Sequence, residues 1–200
     1  MKQQIESRKP KNFLDYFALS VTTLGVGYLP IMPGTYGSAV GVLIYLGISY
    51  LVSVVLVAFA RFSEPLWPFL STYPTIGIHA QVYAWIHAVI LVAFLLFCLL
   101  GIWAAGRSTK LFGNKDPQQA IIDEVIGQLI VFLFIPFGLG WFYVLAGFLL
   151  FRLFDIWKPY PIDSLQNLPG GIGVCADDIL AGVYAGVCLA IVYAVNISMN

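Results

Sequence analysis

The sequence predicts an all-α protein. It reads as a polytopic integral membrane helical bundle of about five membrane-embedded helices, preceded by a short N-terminal interfacial or re-entrant segment. Three observations predict it. Of 200 residues, 60% are hydrophobic and only 10% are Asp, Glu, Lys or Arg, whereas an ordinary globular chain carries about a quarter charged residues. Residues 16–60, 65–106, 125–151 and 179–200 contain no charge at all. A spanning helix needs about 20 apolar residues, and a charge at its centre costs about 2.5–3.5 kcal/mol, so the spans belong in those stretches. Finally, once spans are drawn there, nearly all the charge collects on one side.

The elements follow in order. Residues 1–12 form a polar, basic tail with no small-residue cleavage site after a short apolar run, so they do not read as a signal peptide. Residues 13–200 then form a single membrane-embedded domain. Residues 13–29 are apolar but interrupted by Asp15, two threonines and two glycines, which suggests the interfacial or re-entrant segment. The first span is expected over residues 38–60. Residues 61–80, with three prolines, Trp67 and Tyr73, read as a loop at the membrane surface, where aromatic rings are favoured. A second span is expected over residues 83–105. The 27-residue run 125–151 is long for one span and is punctuated by IPFGLG at 135–140. Two shorter helices in a hairpin, at 118–135 and 141–157, are expected there, with one kinked helix as the alternative. A last span covers residues 178–195.

Five crossings place Lys2, Arg8, Lys9, Lys11, Arg107, Lys110, Lys115, Arg152 and Lys158 on one face, with Arg61 opposite. By the positive-inside rule that face is cytoplasmic. Asp116, Asp123, Glu124, Asp155, Asp163, Asp177 and Asp178 gather on the same face, which the rule does not explain. Balanced charge, ten basic against ten acidic residues, leaves no electrostatic footprint for nucleic acid. Cys98, Cys175 and Cys188 are isolated, without disulfide or zinc spacing.

Asp123 and Glu124 open the expected third helix, Asp155 closes the fourth, and Asp177 and Asp178 open the fifth. Taken singly, each acid could be a helix cap or a first-turn residue favoured by the dipole. Together they exceed what Arg152 and Lys158 can neutralise, and carboxylates suit a hard divalent cation such as Mg2+ that also takes phosphate oxygens. Arg152 and Asp155 share a helical face and could simply pair; beside other acids, Arg152 with Lys158 becomes a candidate phosphate clamp. The glycine-rich stretches 25–38 and 169–178 run into expected helix N-termini, where amides favour anions and Thr35 and Ser38 could contact a substrate or merely cap a helix. His79 and His87 fall on the opposite side, which argues against a histidine nucleophile.

Four motifs carry a resemblance: GxGYxPxxPGTxGSxxG at 25–41, DPxxxIxDExxG at 116–127, FRxFDxxKPxPI at 151–162 and GGxGVxxDDxxAG at 170–182. In order and spacing they resemble the phosphatidylglycerophosphatase A family. The resemblance implies a bacterial inner-membrane, Mg2+-dependent phosphatase with its active site on the cytoplasmic face. It would hydrolyse phosphatidylglycerophosphate to phosphatidylglycerol and inorganic phosphate in phospholipid biosynthesis, with no protein partner required. The family's acids fall on Asp116, Asp123, Glu124, Asp155, Asp177 and Asp178, and its basic residues on Arg152 and Lys158. Asp123, Glu124, Asp155, Asp177 and Asp178 are thus the expected catalytic and metal-binding set, with Arg152, Lys158, Thr35 and Ser38 on the substrate. The rival classes are a divalent-cation transporter or channel and another metal-dependent phospholipid-headgroup enzyme. The acids' position at helix ends, spread over three helices, counts against both.

Overall fold

A computed structural model describes residues 7–63, 75–114 and 117–199, and every regular element among them is helical. Helix α1 (Phe13–Thr23) leads into a 3-10 turn at Val26–Tyr28, then α2 (Pro33–Ser63), α3 (Thr75–Phe112), α4 (Ile122–Phe132), α5 (Trp141–Trp157), a short α6 (Ile162–Leu165) and α7 (Gly170–Met199). Three helices are long and apolar enough to cross a membrane: α2 over Pro33–Phe59, α3 over Gln81–Phe112, and α7 over Gly170–Met199.

The other two form the expected hairpin of two shorter helices, but the first is shorter than the expected 118–135. They are separate helices, not one kinked helix, joined through residues 133–140 with Gly138 at φ 81°. But α4 has only 11 residues, about 16 Å at 1.5 Å per residue, roughly half the hydrocarbon thickness. Its residues Ile122, Asp123 and Val125–Phe132 are all buried. A helix apolar on every side belongs inside a bundle, and α4 is this bundle's central rod. The long charge-free run 125–151 therefore holds one buried half-length helix and the 17-residue α5.

Glycines set how closely the rods approach. A Cβ on Gly127 of α4 would meet the Phe151 ring at 2.5 Å and the Asp178 carbonyl at 2.6 Å, while one on Gly182 of α7 would run into the Gly127 carbonyl. Small residues facing each other let helix backbones touch where lipid offers no hydrophobic drive to association. The same contacts give direction. Gly37 of α2 meets Ile121 and Glu124, and Gly41, one turn on, meets Val125 and Gln128, so α2 runs parallel to α4. Residues 127 and 147 meet 151 and 132, so α5 is antiparallel. The starts of α2, α4 and α7 thus share one end of the bundle with the end of α5 and, through Gly106 against Gly171, the end of α3, which matches the arrangement expected from the charges.

Two expected boundaries move. Helices α2 and α3 reach past the expected spans, to Ser63 and back to Thr75. Residues 64–74, with Trp67 and Tyr73 of the expected surface loop, lie outside the described residues, as does Asp116. The larger shift is in α7, which begins at Gly170, eight residues before the expected start.

Helix α1 is amphipathic in the inverse sense of a soluble helix. It buries Asp15, Ala18, Thr22 and Thr23 and exposes Phe13, Leu14, Tyr16 and Phe17. Asp15 accepts from Arg8 Nη2 at 2.8 Å and from Arg107 Nε at 2.7 Å on α3, with the Lys11 and Asn12 amides on its other oxygen. Thr22 adds a hydroxyl contact to Ser108 at 2.9 Å. Polar groups pin α1 to the bundle and leave its apolar face outward, as an interfacial helix requires.

Candidate active site

The carboxylates converge at the end where the helices begin. Asp123 and Glu124 occupy the first turn of α4, where the macrodipole favours negative charge. Asp178 lies two turns inside α7, whose own first turn holds no acid. The cap reading of Asp177 and Asp178 is therefore corrected: neither sits at a helix N-terminus. What reads as a loop at 169–178 is mostly helix, and Gly171 is small because its neighbour is the Ile102 carbonyl.

One oxygen from each of Asp123, Glu124 and Asp178 lies within 4.8 Å of the others. Asp123 and Asp178 are buried and Glu124 nearly so. Among the described residues, neither Glu124 nor Asp178 forms an ion pair, and Glu124 Oε2 is buried without a hydrogen-bond partner. Closely spaced buried carboxylates repel unless a cation or proton joins them. An acid-only donor set of this spacing fits a hard divalent cation.

The other two acids of the expected set stand beside this trio and hold cations. Asp155 accepts from Arg152 Nη1 and has Lys158 Nζ at 3.9 Å. Asp177 accepts from Lys158 at 2.6 Å and from Gln166 at 3.0 Å through Oδ2, while its Oδ1 is buried without a partner. Lys158 ends α5 in the left-handed region at φ 45°. Burial works to lower its ammonium pKa, but the hydrogen bond and charge of Asp177, with Asp178 and Asp155 behind, raise it on balance. Lys158 is thus held in its charged form, and the ion pairs with Asp155 and Asp177 fix both basic side chains at the rim.

Helix α2 closes the site. Pro33 occupies its first position and Met32 before it has φ 51°. A Cβ on Gly34 would stand 2.7 Å from Glu124 Oε1 and 3.2 Å from Arg152 Nη1, so the absent side chain leaves a cradle between an acid and a guanidinium. Thr35 is half-buried, and its amide donates to the Met32 carbonyl at 3.0 Å. Ser38 is fully buried, its hydroxyl donating to the Gly34 carbonyl at 2.9 Å. Of the two expected substrate contacts, Thr35 stands at the cradle and Ser38 beneath it.

Sequence reasoning missed Gln166, which steadies Asp177 from the loop after α6, and Gln128, which lies one turn beyond Glu124 on the same face of α4 and is fully buried. The first carries no signal in sequence. The second does: an amide at i+4 from an acid in an otherwise apolar run. His87, by contrast, packs at tilted angles against Tyr83 and Phe137, at the bundle end away from the acids.

The comparisons with known proteins converge on this region. Residues 19–193 match the phosphatidylglycerophosphatase A family. A Bacteroides thetaiotaomicron protein named, provisionally, as a phosphatidylinositol-3-phosphatase is 33% identical over 171 residues, 85% of this chain and 89% of its own length. The phosphatidylglycerophosphatase A of Escherichia coli is 32% identical over 160 residues, 80% of this chain and 73% of that protein. That of Haemophilus influenzae is 38% identical over 109 residues, 54% of this chain and 64% of its own. No solved structure matches. The chain belongs to the phosphatidylglycerophosphatase A family and is a phosphatase.

Proposed function

We propose that this member of the family hydrolyses phosphatidylglycerophosphate to phosphatidylglycerol and inorganic phosphate, with Mg2+, at the cytoplasmic face of a bacterial inner membrane and as a step of phospholipid synthesis. The observation that carries the reading is the trio Asp123, Glu124 and Asp178, three carboxylates within 4.8 Å beside two fixed cations. A lipid phosphomonoester presents its phosphate at headgroup depth, and the trio lies at the bundle end where three helices begin.

Asp123, Glu124 and Asp178 would hold Mg2+. When bound, the ion neutralises phosphoryl oxygens and makes a coordinated water acidic enough to attack at neutral pH. The chain's own residues do the rest. Arg152, anchored through one nitrogen to Asp155, keeps further N–H donors for phosphate oxygens, which its planar fork suits. Lys158, anchored by Asp177, adds a second cation from the end of the same helix. These anchors fix both cations before substrate arrives, so no reorganisation is left for the reaction itself. Asp177 and Asp155 thereby act through Lys158 and Arg152, and a direct metal contact remains open to Asp177 Oδ1. Gly34 leaves room for the phosphate between Glu124 and Arg152, and Thr35 would face the glycerophosphate linker. Asp178 or Asp123 would accept the attacking water's proton.

Phosphate release by purified protein in detergent tests the reading. Release from phosphatidylglycerophosphate with Mg2+, lost in EDTA and in Asp178→Asn, is expected. Faster release from phosphatidylinositol 3-phosphate would move the substrate to the class named for the Bacteroides relative. No release from any lipid phosphate would overturn the phosphatase reading.

A further inference from the structure

Below the carboxylates the bundle opens sideways. Helices α2 and α3 stand apart over α4, leaving an apolar groove of about 590 Å3 lined by Ile44, Ile48 and Val52 on one side, Ile90 and Phe94 on the other, and Leu129 at its floor. That volume is in the range of pockets that hold one organic ligand. Both walls are helices long and apolar enough to cross a membrane, which makes the lipid phase the natural source of whatever fills the groove.

Along α4, Gln128 stands between Glu124 of the trio and Leu129 at the groove floor. It is fully buried, and neither Nε2 nor Oε1 has a hydrogen-bond partner. A buried amide left unpaired costs about 1–3 kcal/mol, and removing both partners at once by an apolar residue would have avoided it. Its position supplies a reason. Gln128 is one helical turn from Glu124, about 6 Å along the axis, and its stem passes Gly41 on α2, where a Cβ would stand 2.8 Å from it. The polar interfacial layer of a bilayer is also about 5–7 Å thick on each side. With a phosphate at the trio, Gln128 is level with the ester linkages of a diacyl lipid, and Leu129, the next residue of α4, is where hydrocarbon begins.

We propose that the groove between α2 and α3 seats one acyl chain of the lipid whose phosphate the trio takes, and that Gln128 hydrogen-bonds the ester region between them. The inference rests on the reading of the trio as a phosphate site and adds the length and chemistry of the lipid. The amide donates to an ester carbonyl and the groove takes the chain beyond it, so a phosphomonoester without a long chain uses only the upper half of the site.

The test compares dioleoyl with dihexanoyl phosphatidylglycerophosphate in mixed micelles, for the wild type, Ala93→Trp, which fills the groove from α3, and Gln128→Leu. The ratio of kcat/KM for the long-chain over the short-chain lipid should fall at least tenfold in Ala93→Trp. In Gln128→Leu the KM for both diacyl lipids should rise about fivefold with kcat little changed. An unchanged ratio in Ala93→Trp would overturn the proposal while leaving the phosphatase reading intact. Absence of release by the wild type would instead sink that reading, and a second measurement then decides the groove. With phosphatidylglycerol carrying a diazirine near one acyl terminus, adducts on α2 and α3 groove peptides should drop at least threefold in Ala93→Trp, relative to those on the outward face of α5. Equal labelling would overturn the acyl seat by itself.

Discussion

Two buried acidic places lie at the same end of this bundle, and they are built in opposite ways. Asp15 is a single carboxylate tied by two guanidiniums and two amides, from the N-terminal segment and from Arg107 on α3. Asp123, Glu124 and Asp178 are three carboxylates brought within 4.8 Å, while the nearby cations Arg152 and Lys158 are held by Asp155 and Asp177. The first place has its charge matched inside the protein and needs nothing more. The second crowds carboxylates together beside cations that other acids already hold. Balanced charge serves architecture, whereas crowded buried carboxylates are costly enough, without a proton or cation between them, to point to a use.

The widest separation between the two should come from neutralising one acid in each. Asp178→Asn should cut phosphate release by about 10²–10³-fold, the scale of losing one preorganised electrostatic group, while the thermal midpoint in EDTA stays the same or rises because like-charge crowding is relieved. Asp15→Asn should do the reverse, lowering the thermal midpoint and leaving the specific activity of the folded fraction within about twofold, since nothing at Asp15 touches the site. Measuring both quantities on both variants checks the pair. Loss of activity without loss of stability at Asp15 would break the comparison.

Metal should sharpen it further. Adding Mg2+ at 100 times its dissociation constant stabilises a protein that binds it only when folded by about 2.7 kcal/mol. The wild type and Asp15→Asn should both gain in thermal midpoint on adding Mg2+, and Glu124→Gln should gain little. An equal gain in all three would place the ion elsewhere.

Much of this contrast was legible in the sequence, and the part that was not has physical causes. Charge-free runs and the one-sided gathering of acids anticipated which helix ends meet, because burying charge in lipid is expensive enough to leave a clean pattern. The half-length of α4 was hidden, because a helix buried all round and a spanning helix are equally apolar. The true start of α7 was hidden too. Gly170, Gly171 and Gly173 read as loop residues, whereas Gly171 is small because the Ile102 carbonyl lies against it. Asp15 read as an interruption in an apolar segment, since its partner Arg107 is 92 residues away and no local pattern announces a contact of that range. Gln128 drew no reading: its spacing from Glu124 is visible in the sequence, but its burial on every side is not.

A smaller effect is expected at Gly34. Adding one methyl in Gly34→Ala puts a carbon 2.7 Å from Glu124 Oε1 and 3.2 Å from Arg152 Nη1, so both groups must shift by a few tenths of an ångström. A 1 Å misplacement can cost about 100-fold in rate, so a shift of a few tenths should cost up to about 10-fold. The thermal midpoint should hardly change, since the methyl enters the cradle and not the packed core. A full-rate Gly34→Ala enzyme would mean that phosphate does not use this cradle, and would return Thr35 to a purely helical role.

The smallest effect is a pH dependence at Asp15. Amide donation from Lys11, working against the cost of burial and joined by Arg107 and Asn12, holds this carboxyl below its ordinary 3.8. A carboxyl whose folded pKa is depressed binds its proton more readily in the unfolded chain. Its contribution to stability is therefore complete above the unfolded value and fades as pH falls through the folded one. The difference in thermal midpoint between wild type and Asp15→Asn should be flat from about pH 7 to 5 and narrow only below 3.8. Acids elsewhere titrate alike in both proteins and cancel from that difference. A gap that instead narrowed on raising the pH from 5 to 7 would mean that Asp15 takes up its proton well above the ordinary range. Its two arginines would then not match its charge, and the contrast between the two acidic places would fail at its simpler end.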